Sequence, residues 1–255
     1  MQPLPYMEVR ASICAQLPGA AMAKQALTER DLRETPVYTV TEAAAYLGVP
    51  QATLRSWVVG RKYPIVKGER FFVPLVEIAD PELKRLSFLN LIEVHVLNAI
   101  RRTHNIALPK VRQALDYLRK QLHLSRPLAD QQFETNGVDL FVTYYGRLMN
   151  ITQPGQYAMR ELIGEYLKLV RRDPHGVPVR LFLFPSHSGR RDRKPPIVID
   201  PRVSFGQPVL AGTGIRTSVL AQRFDAGDTI PQLAKDYGRP DAQIEEAIRF
   251  ERKAA

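Results

Sequence analysis

The residues best equipped for chemistry in this chain are cations and amides in one short stretch. Gln51, Thr53 and Arg55 alternate with Ala52 and Leu54 ahead of Trp57 and Val58. Arginine and glutamine carry the donors and acceptors that read guanine and adenine edges, and threonine and arginine also serve phosphates. Arg61, Lys62, Lys67 and Arg70 follow closely, around a Lys67-Gly68-Glu69 turn. Phosphate contact is the chemistry such a cluster supplies. A second stretch, Val209, Leu210, Thr213, Ile215 and Arg216, surrounds Gly212-Thr213-Gly214. No Lys-Ser or Lys-Thr pair follows those glycines, so a tight turn with positive φ is expected there, not a phosphate loop. The apolar residues flanking it belong either to a core or to a surface that receives a partner protein.

Catalytic and metal sets are not found. Cys14 is the only cysteine, which excludes an internal disulfide and any cysteine-based zinc site. His95, His104, His123, His175 and His187 include no pair at i, i+4. Asp139, Asp173, His175 and Asp200 fall near turns, with no spacing that unites them. No catalytic residue, metal or cofactor is expected, and the chain is not read as an enzyme.

The wider sequence must position those cations. Its 255 residues are 45% hydrophobic, enough for a core or several small modules. Lys and Arg exceed Asp and Glu by 36 to 26, giving +10, a balance that favours a polyanionic partner. The surplus is uneven: +2 over residues 36–90, +5 over 91–126, +3 over 127–194, and zero over 1–35 and 195–255. A polyanion should therefore meet the middle of the chain, and the C-terminal part suits protein contact or self-packing. No apolar run approaches a membrane span, and Ala11 to Met22 is interrupted by Gln16, Pro18 and Gly19 with no basic segment before it. A soluble protein acting in the cytoplasm is expected.

Periodicity gives the elements. Residues 1–35 read as a flexible tail. Residues 36–80 read as a winged helix-turn-helix. Thr41 is the expected N-cap of its first helix, Gly48 makes the turn, and the second helix starts at Pro50–Gln51. Ala52, Leu54, Trp57 and Val58 face inward and Gln51, Thr53, Arg55 and Ser56 outward. Ile65-Val66 and Phe71-Phe72-Val73 make the wing. Residues 81–186 form a helical and hairpin middle: helices from Leu83 to Arg102 and from Leu108 through Leu122, a hairpin over Asp139–Met149, a helix over Tyr157–Arg171 and a strand over Val179–Phe184. The helix ending at Arg102 is apolar around its circumference, which points to burial or to a dimer seam. Arg101, Arg102, Arg112, Arg119 and Lys120 are read as a solvated face. Residues 187–196 form a basic linker. Residues 197–255 form a C-terminal module: a strand-prone, turn-rich run to Ile215, then helices near Ser218–Asp225, Thr229–Tyr237 and Pro240–Arg252. Thr229 and Asp241 are its expected N-caps, and the last two helices form a second helix-turn-helix-like pair. The fold class is mainly α with small β-hairpins.

Two stretches resemble known families. Tyr38 to Trp57, through its Gly48-Val49 turn and Thr53-Leu54-Arg55, resembles the first helix-turn-helix of MerR-type regulators. Ile199-Asp200-Pro201, Gly206-Gln207-Pro208-Val209 and Ala211-Gly212-Thr213-Gly214-Ile215 resemble the domain-of-unknown-function 433 family. With Leu86 to Glu93 and Pro109 to Leu118, the combination is similar to the long antitoxins of the VapBC class. That resemblance implies an operator-binding repressor, a dimer, that neutralises a PIN-like ribonuclease toxin through its C-terminal module. Position 214 is glycine where many relatives of that module carry arginine, so a contact by that side chain is not carried over. The alternative is a stand-alone MerR-like winged regulator with no toxin partner. An RNA-binding scaffold is a third reading.

Overall fold

In the computed structural model of the protein, residues 32–65, 68–102, 108–183 and 196–254 are described. The expected linker falls almost wholly outside them, as do Lys67 and most of the expected tail. Helices dominate and the sheets are small and antiparallel, so the fold is mainly α.

Strand β1 (Tyr38–Thr39) leads directly into helix α1 (Val40–Leu47). The cap is Thr39, not Thr41: its Oγ1 accepts from Glu42 N at 3.1 Å, and Glu42 Oε2 accepts from Thr39 N at 2.8 Å. This reciprocal box satisfies two amide groups that the helix start leaves free, and the Glu at the third position decides which threonine caps. Gly48 ends α1 at φ 60°, a left-handed conformation that a Cβ makes costly. Helix α2 (Gln51–Val58) follows, then the hairpin of β2 (Arg61–Ile65) and β3 (Gly68–Phe72). A helix-turn-helix with a wing is thus built as its residue pattern predicts. One position pair is exchanged: Ala52 is exposed and Ser56 is buried, its hydroxyl donating to Thr53 O at 2.7 Å.

Strand β4 (Arg85–Leu86) pairs with β1 and precedes helix α3 (Phe88–Arg102). The helix therefore begins later than Leu83, which is 70% exposed on the preceding turn. Ser87 and Asn90 exchange side-chain and backbone hydrogen bonds at its start. From Asn90 to Ile100 every residue of α3 is buried within this one chain. Its all-round apolarity is spent on the chain's own core, so α3 offers no free apolar face as a dimer seam.

Helix α4 (Leu108–Leu122) buries Val111, Ala114, Leu115 and Leu118, whose helical spacing predicts one inward stripe, while Leu122 at the end of that stripe is half-buried. The expected hairpin over Asp139–Met149 is instead helix α5 (Val138–Met149), entered through a π-helical turn at Phe133–Gly137. Strand alternation would bury every second residue; here Phe141, Val142 and Tyr145 are buried, a helical spacing. Gly146, within the expected hairpin, instead lets Gln156 of helix α6 (Gln153–Leu167) pack close. Tertiary packing has overridden β-propensity. Helix α6 ends at Leu167, and Val170 belongs to the next strand.

Strands β5 (Val170–Arg172), β6 (Pro178–Leu183), β7 (Ile197–Ile199) and β8 (Val209–Leu210) form one antiparallel sheet in that order. Leu181 pairs with Ile199, so this sheet joins segments on either side of the expected linker. Helices α7 (Thr217–Asp225), α8 (Ile230–Tyr237) and α9 (Asp241–Ala254) complete the C-terminal module. Asp241 lies in the first turn of α9; Pro240, just before it, accepts from Gln243 N.

Two apolar clusters result. The larger runs from α1 and α2 through α3 to α6 and takes in Ile197, Ile199 and Phe250. The smaller holds α7 to α9 on Leu210.

Candidate nucleic-acid interface

Helix α2 enters from Pro50 with no side-chain cap, so its first amide groups are unclaimed by its own N-cap. Gln51 and Arg55 are exposed there and Thr53 is half-buried. Gln51 Nε2 donates to Thr41 Oγ1 at 2.7 Å, which fixes the amide at the helix entrance. Behind them Leu54 and Trp57 are 0% exposed. Trp57 is therefore core, as its inward spacing predicts. This is the arrangement by which a recognition helix presents its N-terminal side chains to a major groove while its other face holds the domain together.

The hairpin divides its cations. Cross-strand partners share a face, and the register sets Arg61 opposite Phe72 and Tyr63 opposite Arg70. Arg61 and Arg70 therefore lie on one face, both exposed. Lys62 lies on the other, with its Nζ 3.6 Å from Glu69 Oε2. An exposed pair of this kind contributes little to stability, but it offsets the charge Lys62 brings. Arg101, at the end of α3, sets its guanidinium over the Trp57 ring at 5.7 Å and is exposed. Two arginines read as solvated are not: Arg112 and Arg119 reach backbone carbonyls of the chain that follows the wing.

The C-terminal set is split by burial. Val209 and Leu210 are 1% and 0% exposed, so they hold the module and are closed to a partner. Ile215 is half-buried on the same cluster. Thr213 Oγ1 donates to Leu210 O at 2.8 Å and accepts from Ile215 N at 3.0 Å, tying the turn in which Gly212 has φ 78°. Only Arg216 of this set is exposed. Sequence reasoning missed a second exposed residue of the module: Phe205 is 90% exposed, on a left-handed turn whose Ser204 hydroxyl donates to Gly214 O. The Gly206 that follows was the one available signal for that turn.

The module packs onto the helix-turn-helix. Tyr38 OH donates to Gly206 O and Tyr46 OH to Gln207 Oε1, each at 2.9 Å. Phe250 of α9 stacks on Tyr46 at 6.1 Å. Burial pushes both tyrosine hydroxyls well above their ordinary range, so they remain donors. Just past the end of β7, Asp200 accepts from Arg180 and Arg202 at 2.8 and 3.2 Å. Burial alone would raise its carboxyl, but these hydrogen bonds outweigh it and hold the pKa below the usual carboxylate range. Among the described residues no group of three or more His, Cys, Asp or Glu is placed to hold a metal, and no helix is long and apolar enough to cross a membrane.

Residues 36–115 match a family described as "Putative DNA-binding HTH domain", and residues 197–250 match "Protein of unknown function (DUF433)". This chain pairs a DNA-binding-type helix-turn-helix domain with a DUF433 module. Along its length it is similar to "Putative antitoxin VapB45" of Mycobacterium tuberculosis, 29% identical over 86% of this chain and 96% of that protein. It is also 24% identical to the uncharacterized protein Rv2308 of the same organism, over 85% of this chain and 90% of that one. The crystal structure of Rv2018 from Mycobacterium tuberculosis shares the fold with a TM-score of 0.61 at 26% identity, covering 84% of this chain and 98% of that one. The helix-turn-helix match extends past the wing into α4, and the DUF433 match opens on β7, in the sheet shared with β6.

Proposed function

We propose that this chain is the antitoxin of a type II toxin–antitoxin pair, acting in the cytoplasm as a homodimer that represses its own operon. The observation that carries the DNA half is the uncapped, exposed start of α2, where Gln51 and Arg55 stand ahead of a hairpin bearing Arg61 and Arg70. Gln51, Thr53 and Arg55 read the operator. Arg61, Lys62, Lys67 and Arg70 contact phosphate and supply sequence-independent affinity. Likeness to an antitoxin over 86% of the chain supports the second half, the capture of a PIN-like ribonuclease toxin by the C-terminal module. Of the candidate partner-binding residues, Arg216 and the edges of Thr213 and Ile215 can meet a toxin; Val209 and Leu210 support them from beneath. The reading requires no catalytic residue, metal or cofactor. Dimer pairing uses a surface other than α3.

The test expresses the neighbouring nuclease gene with and without this chain. An antitoxin restores growth, and Arg55→Ala still restores growth while losing operator repression. Cells that grow equally well without the chain would leave the stand-alone regulator in its place.

A further inference from the structure

The hairpin that carries the phosphate-facing arginines has almost no packing of its own. In β2 and β3 only Tyr63 and Phe72 are even half-buried. Its direction must therefore be set at its base. One fixture there is local: a Cβ on Gly60 would lie 2.4 Å from Phe72 O and 2.6 Å from the tip of the Phe71 ring, so the return strand lies directly on the turn leaving α2. A second comes from the chain that follows. Leu75 N and Val76 N both donate to Trp57 O, at 2.7 and 3.2 Å, and so pin residues 73–76 to the last turn of α2.

The third fixture comes from α4, an element outside both the helix-turn-helix and the wing. Arg112 Nη1 donates to Pro74 O at 3.0 Å, and its Nη2 donates to Val73 O. Its guanidinium also lies over the Phe72 ring at 5.1 Å. A planar fork is what allows one side chain to hold two successive carbonyls while facing an aromatic ring. Arg119 Nη2 reaches Leu75 O at 3.5 Å, one residue further on. The last residue of the wing and the strap behind it are thus clamped between α2 and α4. The helix-turn-helix match, ending at residue 115, takes in Arg112.

We propose that Arg112 is a positioning residue for DNA binding: it holds the wing at the angle from which Arg61 and Arg70 reach phosphate, without touching DNA itself. The proposal rests on the DNA-binding reading above. Losing Arg112 frees the hairpin about its base, and ordering it then costs more than two phosphate contacts return, so Arg61 and Arg70 drop out of the complex.

The test measures binding of the full chain to a random-sequence duplex across a salt series. The wing's contacts are to phosphate, so no operator is needed. Each phosphate contact adds ~0.9 to the slope of log affinity against log salt. Arg61→Ala with Arg70→Ala should lower the slope by about 2. Arg112→Ala should lower it nearly as far, with roughly a tenfold loss of affinity, and adding it to the wing double variant should change little further. Arg112→Lys should not restore the slope, because one ammonium cannot hold both carbonyls and the ring face. Should Arg112→Ala prove unfolded by circular dichroism, Phe72→Leu removes the ring face alone and should shift the slope in the same direction by less. A folded variant with the wild-type slope overturns the proposal. So does a loss of about 1 in slope that adds fully to the wing double variant, which would make Arg112 a phosphate contact in its own right. A wild-type chain with no salt-dependent duplex binding removes the DNA reading itself, and this proposal with it.

Discussion

The first and last helix pairs are the same local structure built 190 positions apart. Thr39 with Glu42 and Thr229 with Gln232 form equivalent capping boxes. Gly48 and Gly238 end equivalent eight-residue helices at φ 60° and 59°. Pro50 and Pro240 precede the second helices. Inward positions correspond: Leu54 and Ile244 are 0% exposed, as are Trp57 and Ala247, and Val58 and Ile248 are 2% and 5%. The outward positions part company. Gln51 and Arg55 correspond to Asp241 and Glu245. Cap, turn and inward stripe thus specify the helix pair, whereas the outward charges decide what it can approach. On the second pair Arg249 holds Glu245 and Glu246, which offsets their repulsion of a polyanion, but no cation stands in the place of Arg55. Environment differs too: a basic hairpin follows the first pair, and the second turns Phe250 onto the first pair's Tyr46.

The deepest difference lies at the matched Trp57 and Ala247 positions. Trp57→Ala empties the floor of the first pair and should cost ~3–5 kcal/mol, lowering the denaturant midpoint of the large cluster. Ile244→Ala should cost ~2–5 kcal/mol but act on the smaller cluster. Hydrogen exchange should place the two losses in different segments; the same segments losing protection in both variants would deny that the pairs have separate cores.

Titration sharpens the contrast next, because α3, the floor of the first pair, buries ionisable groups. Burial lifts the Glu93 carboxyl to about 7, against partial relief from Arg126 and Asn90. Burial also lowers the His95 imidazole to about 4, with its Nε2 donating to Tyr166 O. A raised carboxyl contributes its stability in full below the ordinary glutamate value and loses it as pH rises toward 7. The lowered imidazole acts in the opposite sense, contributing in full above its ordinary 6.5 and losing it as pH falls toward 4. The two slopes partly cancel in the wild type. Glu93→Gln leaves the histidine slope alone, so its stability should rise from pH 5 to pH 8 by about 2 kcal/mol more than the wild type's. Parallel curves would refute this assignment.

The smallest effects should be shared. Thr39→Ala and Thr229→Ala each remove an equivalent cap and should each cost about 1 kcal/mol in thermal unfolding. A loss at one site only would break the equivalence.

Much of this was readable from residue order, and the failures have physical causes. Leu54, Trp57 and the Gly48 turn announce the first pair because helical period, small residues and a left-handed glycine agree there. The wing was readable from two β-prone runs about a turn, although the division of Lys62 from Arg61 and Arg70 needed the register. Helix α5 was misread because Val, Phe and Tyr favour strands locally and only packing against α4 and α6 makes the helix pay. The burial of Val209 and Leu210 was left open since a short apolar run looks alike in a core strand and on a docking surface. The role of Arg112 was hidden because its partners are backbone carbonyls far away in sequence.

The central claim is that the outward face of α2, not that of α9, meets DNA. The most direct test is duplex affinity at fixed salt for Arg55→Ala and for its counterpart Glu245→Ala, both checked for wild-type melting. Arg55→Ala should weaken binding by roughly tenfold, ~1–3 kcal/mol, and Glu245→Ala should leave it unchanged. Equal affinities for Arg55→Ala and wild type, or a loss found only at Glu245, would contradict the account.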